Sequence, residues 1–277
     1  MNANSSPQTP AIKDWIIIAA RRLSEIGVSS GQLDAEIILA YSLQKDRTYL
    51  HSHPEQVINT PYLETADKNL KKRLERVPIA YITGRKEFYG REFIVNENVL
   101  IPRPESETII EILKNIKLEP NSKLIDIGTG SGCLGITAKL EFPTFNVALA
   151  DISSGALEMA QKNALKFDAN IEIIQSDLLE KCHDKYDVII ANLPYVNPKW
   201  DRSPETEYEP QLALFADNDG KAVIEKLISQ SVGSTNPNGY LIIEADPGQH
   251  EPLIEHATKH SFILINRQDY IIAFKRR

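Results

Sequence analysis

The order of elements after Pro120 constrains what this chain can fold into more than any other feature. Short β-prone apolar runs over 123–127, 146–150, 171–175 and 186–191 read as strands, with helices over 134–140 and 156–166 among them. After a polar loop, a helix near 222–231 leads to another strand over 240–244. Strands separated by crossover helices bury themselves as a parallel sheet with helices on both faces. Two closing β runs, 262–266 and 270–274, are joined by too few residues for a crossover and must pair antiparallel. The expected class is α/β, a doubly wound sheet of seven strands that ends in an antiparallel hairpin.

Ahead of this region the texture differs. From Ala11 to Arg76 apolar residues recur at three- and four-residue spacing: Trp15, Ile16, Ala19, Leu23 and Ile26, then Leu33, Ile37, Ile38, Ala40 and Tyr41, then Leu63, Leu70 and Leu74. Gly27 is placed to stop the first run. This pattern predicts a small helical bundle, charged outside and apolar within. Between 88 and 101 the pattern changes to β formers broken by Gly90 and by Asn96-Glu97-Asn98, a short hairpin acting as connector. Each proline of Ile101-Pro102-Arg103-Pro104 holds its predecessor extended. Pro104 then suits the first position of a helix running through Leu113, with Glu105 and Glu107 in its favourable first turn. The expected organisation is a helical bundle over 1–84, a β-hairpin linker over 85–104 and the α/β domain over 105–277. At 277 residues and 42% hydrophobic, the chain can bury one large core plus a smaller satellite.

Composition excludes several classes. No apolar run approaches the roughly 18 residues that a membrane span needs. The polar stretch 1–10 lacks the basic-then-apolar order of a secretory signal and is expected to be a frayed tail. Cys133 and Cys182 lie far apart without a CxxC pattern, which argues against a disulfide or zinc framework and for a reducing cytoplasm. A formal net charge of -7 argues against a stable nucleic-acid partner, because binding bare phosphate backbone calls for a basic face.

Two motifs carry chemistry. The first, Asp126-Ile127-Gly128-Thr129-Gly130-Ser131-Gly132, lies where a strand turns into a helix. Its glycines let the backbone approach a ligand without a Cβ between. The dinucleotide fingerprint is G-x-G-x-x-G, with a pyrophosphate at the helix N-terminus. Here the order is G-x-G-x-G, and Asp126 would repel a phosphate but can receive the ammonium of a methionine moiety. Asp151, at the end of the next strand, can accept both ribose hydroxyls, and Asp177, after the third, lies in reach of an adenine amine. Each acid alone reads as a strand-end cap or a turn former. Three of them on successive strands beside a glycine loop point to S-adenosylmethionine. Its expected binding residues are Asp126, Gly128, Thr129, Gly130, Ser131, Gly132, Asp151 and Asp177.

The second motif, Asn192-Leu193-Pro194-Tyr195, follows the strand over 186–191. The Asn192 side-chain oxygen and the Leu193 carbonyl can accept both hydrogens of a planar NH2 group and aim its lone pair at an activated methyl. Pro194 keeps Leu193 extended, so that carbonyl points in a fixed direction. Tyr195 offers a flat face to the planar group and to the cationic methyl region. A sulfonium is already a good leaving group, so positioning outweighs acid–base catalysis and no general base is nominated. Methyl transfer to a planar nitrogen follows, with Asn192 and Tyr195 catalytic. A β-turn after a buried strand is the bland alternative, since Asn and Pro are common turn residues.

With these motifs the chain resembles the protein-(glutamine-N5) methyltransferases of the HemK/PrmC type over nearly its whole length. The resemblance rests on Leu33-Asp34-Ala35-Glu36, on Pro78-Ile79-Ala80-Tyr81-Ile82-Thr83-Gly84 and on Phe88-Tyr89-Gly90. More specific is Val99-Leu100-Ile101-Pro102-Arg103-Pro104-Glu105-Ser106-Glu107, with Ser106 at a usual threonine. It continues through 126–133, Asp151-Ile152-Ser153, Ala156-Leu157, Asn163-Ala164, Tyr208-Glu209-Pro210 and Leu212-Ala213-Leu214. It implies the Rossmann-like, seven-stranded class I methyltransferase sheet with S-adenosylmethionine as cofactor. The implied reaction is methylation of the glutamine of the Gly-Gly-Gln loop in class 1 peptide chain release factors. Gly128 to Gly132 and Asp151 would bind the cofactor, Asn192 would touch both cofactor and substrate, and the run to Tyr195 would hold the glutamine amide. Arg103, Glu105 and Glu107 form either a lid over the cofactor or simply a linker and a helix start.

Two departures from the family pattern stand out. Leu193 occupies a usual proline; the acceptor there is a main-chain carbonyl, so the chemistry survives. Asn-Leu-Pro-Tyr is, however, also the form of ribosomal RNA adenine-N6 dimethyltransferases. A nucleic-acid methyltransferase acting on adenine N6 or guanine N2 is therefore the alternative. The acidic balance, the helical N-terminal domain and the Ile-Pro-Arg-Pro-Glu linker count against it. A binding module that merely retains the pocket is a third possibility. Asp246, where the family tends to have glycine, has no role readable from sequence, while Gln249 keeps its spacing. A loop glutamine offers too little surface for selectivity, so the helical domain is expected to dock the release factor, with the enzyme a monomer.

Overall fold

Residues 9–277 are described by the computed structural model, so the expected tail over 1–10 lies outside the described residues except for Thr9 and Pro10. Pro10 is tied down rather than frayed: Ile58 N donates to its carbonyl at 3.0 Å, and Ala11 bridges Val57. Chain contacts fall into two units, one up to Gly84 and one over Arg85–Arg277. No helix among the described residues is long and apolar enough to cross a membrane.

The first unit holds α1 (Ile12–Glu25), α2 (Gly31–Leu43), α3 (Arg47–Ser52), α4 (Thr60–Leu74) and α5 (Ile79–Thr83). Trp15, Ile16, Ala19 and Leu23 bury one stripe of α1, the spacing of an amphipathic helix. α2 departs from the expectation of charge outside and apolar within. Leu33 and Tyr41 are exposed, as is Ile26 after α1, whereas Asp34 and Glu36 are buried. Ion pairing makes this tolerable, because a buried charge needs a partner close by. Arg73 Nε donates to Asp34 at 2.6 Å, and Arg47 Nη2 donates to Glu36 at 2.6 Å, with Gln32 adding a bond to Glu36 at 2.8 Å. Leu33-Asp34-Ala35-Glu36 is thus a clasp in which Asp34 fastens α4 to α2 and Glu36 fastens α3.

The second unit holds β1 (Arg85–Phe88), β2 (Arg91–Ile94), α6 (Glu107–Asn115), β3 (Lys123–Ile127), α7 (Cys133–Glu141), β4 (Asn146–Asp151), α8 (Ser154–Lys166), β5 (Glu172–Gln175) and β6 (Tyr186–Ala191). It continues with α9 (Gln211–Leu214), α10 (Ala222–Ser234), β7 (Thr235–Glu244), α11 (His250–Lys259), β8 (Phe262–Gln268) and β9 (Ile271–Arg276). Seven strands form one sheet in the order β5-β4-β3-β6-β7-β9-β8, and only β9 runs against the rest. The α/β class and its closing antiparallel hairpin are as the sequence predicts. Side-chain alternation sorts the sheet into two faces. Leu124, Val188 and Ile190 pack with Ile109, Leu113 and Ile136 on one, while Ile125, Ile127 and Ile189 pack with Ile224, Leu227 and Leu253 on the other. Helix α11 falls in a stretch without a clear apolar period; its buried residues are His250, Leu253 and Ala257.

The β1–β2 hairpin lies within the second unit rather than between units. Phe88 and Phe93 are buried with residues of α6 and α8, and Asn163 of α8 binds both the N–H and the carbonyl of Ile94, at 2.8 and 2.9 Å. From β3 the chain moves outward to β4 and β5, then returns to β6 on the other side of β3. The loops after β3 and β6 therefore diverge and open a crevice at the strands' C-terminal ends, the place where open α/β sheets bind ligands.

Candidate active site

That crevice is a cavity of about 600 Å³. Its floor is the loop after β3. Gly128 N and Thr129 N donate to the Ala150 carbonyl at 2.8 and 3.1 Å, and Gly130 N donates to Asp151 Oδ2 at 2.9 Å, so the loop is laced to the end of β4. Gly130 has φ +55°, and a Cβ built there meets nothing within 4 Å. A ligand can therefore come up against its backbone. At Gly128 the equivalent space is filled from within, since an added Cβ would stand 2.6 Å from Leu193 Cδ2.

Thr129, Ser131, Asp151 and Asp177 join Gly128 and Gly130 on the cavity wall. Asp151 holds Gly130 N on one oxygen and Ser153 N on the other, the latter at 2.9 Å, and its burial raises its pKa. Asp177 Oδ2 accepts from Lys226 Nζ at 2.7 Å, and Lys226, also on the wall, reaches Glu180 at 3.0 Å. Cys133 lines the cavity as well, but burial pushes its thiol up to about 12, which makes it a poor nucleophile.

Two of the expected cofactor residues lie behind the wall. Gly132 is the N-cap of α7. Asp126 points beneath α7, because alternation along β3 puts it on that face of the sheet. There its Oδ2 accepts from Thr129 Oγ1 at 2.6 Å and from Gly135 N at 3.0 Å, while Oδ1 is buried without a partner among the described residues. Burial raises the pKa of this carboxyl to about 6, against the lowering by Thr129 and Gly135. Asp126 thus shapes the loop and places negative charge beneath it. A cationic ligand relieves such a group and a phosphate aggravates it.

Asn192, Leu193 and Pro194 form the facing wall. Asn192 Nδ2 donates to Ser106 Oγ at 2.9 Å. Among the described residues, neither Asn192 Oδ1 nor the Leu193 carbonyl accepts a hydrogen bond from the protein. Tyr195 is placed differently from the expected flat face for a substrate. Its ring packs on the sheet core and its hydroxyl donates to Glu244 Oε1 at 3.0 Å, so it does not line the cavity. Buried Glu244 needs donors, and Tyr195 is one of them.

Several further residues complete the site. Glu209, buried, accepts from Arg103 Nη2 at 2.6 Å and from Ile101 N at 3.1 Å, which clamps the two segments the family resemblance singles out at 99–107 and 208–210. Arg103 reaches the cavity wall, whereas Glu105 is exposed and Glu107 accepts from Tyr89 N at 2.9 Å, away from it. Gln249 Nε2 donates to the carbonyls of Tyr195 and Asp219 at 2.8 and 2.7 Å, fixing the end of the Asn192 run. Asp246 caps the turn over Pro247–Gln249, accepting from Gly248 N at 2.8 Å while its own N–H donates to Gln249 Oε1 at 3.1 Å. Its role is structural. Ser106 and Glu244 lie 138 residues apart, and no local pattern announces such a pair.

Comparison with known proteins places the chain in a family. Residues 14–84 match the PrmC N-terminal domain family, and residues 105–206 match the methyltransferase small domain family. A release factor glutamine methyltransferase of Koribacter versatilis is 36% identical over 244 residues, which cover 86% of this chain and 87% of that protein. Another, of Leptospira interrogans, is 37% identical over 82% of this chain and 82% of its own. The bifunctional methyltransferase of Rickettsia bellii is 33% identical over 92% of this chain but 52% of its own, so the chain spans about half the length of such relatives. Among solved structures, a methyltransferase from Pyrococcus furiosus shares the fold with a TM-score of 0.52 at 18% identity, over 68% of this chain and 90% of that one. With relatives more than a third identical along most of both sequences, this chain belongs to the release factor glutamine methyltransferase family.

Proposed function

We propose that this chain transfers a methyl group from S-adenosylmethionine to the side-chain amide nitrogen of the glutamine in the Gly-Gly-Gln loop of class 1 peptide chain release factors. The observation that carries this is the pair of open acceptors, Asn192 Oδ1 and the Leu193 carbonyl, on residues facing a cavity floored by the glycine loop and Asp151. An NH2 group has two hydrogens to place, and two acceptors in its plane leave the nitrogen lone pair projecting out of that plane. Family membership supplies the substrate class.

Each residue then has a task. The backbone at Gly128 and Gly130 and the carboxylate of Asp151 hold the cofactor, with Asp151 accepting from ribose hydroxyls and Asp177 close to the adenine amine. Bound there, S-adenosylmethionine supplies a methyl on a sulfonium whose thioether departs without acid assistance. Asn192 and Leu193 hold the amide so that its nitrogen meets that methyl, which replaces one amide hydrogen, released as a proton. The task assigned to these residues is positioning rather than acid–base catalysis. Tyr195 supports the loop from behind, and the helical unit docks the release factor.

The same acceptor pair suits an exocyclic base amine, but the net charge of -7 and the family favour the protein substrate. Incubation with methyl-labelled cofactor, release factors and ribosomal RNA, followed by mass spectrometry of the Gly-Gly-Gln peptide, is the test. Label on the glutamine amide is expected; label on RNA with none on release factors refutes the proposal.

A further inference from the structure

Behind the open acceptor of Asn192 lies a chain of buried polar groups whose donors are fixed once Glu244 is ionised. Glu244, at the end of β7 and 1% exposed, receives Ser106 Oγ at 2.5 Å on one oxygen and Tyr195 Oη at 3.0 Å on the other. Burial raises the pKa of Glu244, and the bonds from Ser106 and Tyr195 oppose that shift by stabilising the ionised form; in that form it has no proton to give, so both hydroxyls donate to it. Ser106 has a single hydroxyl proton and directs it to Glu244. Toward Asn192, 2.9 Å away, its oxygen can only accept. Asn192 must therefore turn its NH2 to Ser106 and its Oδ1 to the cavity. An asparagine amide is nearly symmetric in shape, so its orientation is set by the bonds it makes. Ser106 is its only side-chain partner among the described residues.

We propose that Glu244 and Ser106 are positioning residues that set the polarity of Asn192 and so restrict the site to substrates offering an NH2 group. This deepens the methyl-transfer function proposed above and rests on it. Were the amide reversed, Asn192 would present a donor to a donor and the substrate nitrogen would lose one of its two holds.

Four changes test the network. Ser106→Ala cuts it, and Ser106→Thr keeps the hydroxyl. Asn192→Asp places two carboxylates around one hydroxyl proton. Adding Glu244→Gln to Asn192→Asp restores order, because the new amide donates to Ser106 Oγ, Ser106 donates to one Asp oxygen, and the other Asp oxygen faces the substrate. Loss of one charge-assisted link is expected to lower kcat about tenfold in Ser106→Ala, with KM for the cofactor changed less than about twofold and Ser106→Thr close to wild type. By the same measure, Asn192→Asp with Glu244→Gln exceeds Asn192→Asp alone by about tenfold. Full kcat in Ser106→Ala, or no gain in the double variant, overturns the proposal.

A second readout needs no methyl acceptor. In protein labelled with nitrogen-15 asparagine, the Asn192 side-chain NH2, identified by its absence in Asn192→Asp, exchanges slowly with solvent and much faster in Ser106→Ala. Equal exchange rates overturn the network. A wild-type protein that leaves release factors unmethylated defeats the proposed function instead, while the exchange rates still decide the role of Ser106.

Discussion

Replacing Gly220 by alanine tests whether the Asn192 run, proposed to hold the substrate, is held rigidly from behind. Gly220 sits at φ +82°, and an added Cβ would stand 2.0 Å from the Tyr195 carbonyl oxygen, 2.7 Å from the carbonyl carbon and 2.5 Å from Gln249 Nε2. Two of those atoms are backbone, so no change of rotamer relieves the clash. The left-handed conformation alone costs alanine about 1–2 kcal/mol. To recover even a 3.0 Å contact, the Tyr195 carbonyl has to retreat by about 1 Å. Gln249 then cannot keep both its bonds, to Tyr195 and Asp219, and each neutral hydrogen bond contributes about 1 kcal/mol net. The expected loss is about 3 kcal/mol, less than the roughly 5–15 kcal/mol that keeps a domain folded. Activity suffers more, because displacing reacting groups by about 1 Å costs on the order of 100-fold in rate. Single-turnover methyl transfer at a temperature where the variant is folded, beside calorimetric unfolding, measures both. Gly90→Ala is the control: φ is +71°, but an added Cβ meets nothing within 4 Å. Wild-type turnover in Gly220→Ala, with a stability loss no larger than in Gly90→Ala, would refute the reasoning.

Three further outcomes are expected. Gly130→Ala places a Cβ in the open space above the cavity floor, so the free protein loses only about 1–2 kcal/mol of stability while calorimetric titration detects no cofactor binding. Binding also depends on pH through Asp126, held at about 6 by burial. A cationic ligand favours its ionised form, so Kd rises as pH falls from about 7 to about 5, and a flat Kd denies Asp126 this role. The linked stability has the opposite sign, since the native state holds this proton more firmly than the unfolded chain. That contribution is full below the ordinary carboxyl value of 3.8 and lost as pH rises through about 6. In the first unit, Asp34→Ala removes the carboxylate from Arg73, whose side chain is 7% exposed. Thermal unfolding is expected to show a loss of about 3 kcal/mol with cofactor affinity unchanged.

Local patterns make much of this protein legible in its sequence. Alternation along the β runs and the crossover helices specify a parallel sheet. The order of those runs puts the glycine loop and the Asn192 run at the ends of neighbouring strands, β3 and β6. The patterns failed where burial depends on a distant partner. Leu33 and Tyr41 fit an apolar stripe yet are exposed, because α2 buries Asp34 and Glu36 against arginines from other helices. Helix α11 carries no legible apolar period because its buried face includes a histidine and only two apolar residues, Leu253 and Ala257.

Within the site, residue types were legible and directions were not. Asp126 and Tyr195 belong to the motifs that announce the chemistry, yet both side chains point away from the cavity. Sequence by itself determined the fold class, the crevice and the groups that surround it, since hydrophobic period and turn chemistry act between near neighbours. Only the tertiary structure decided which way the Asn192 amide faces and what the buried acids are bonded to. Hydrogen-bond direction belongs to pairs in space, and the sheet brings Ser106 to Glu244 across 138 residues and Arg103 to Glu209 across 106.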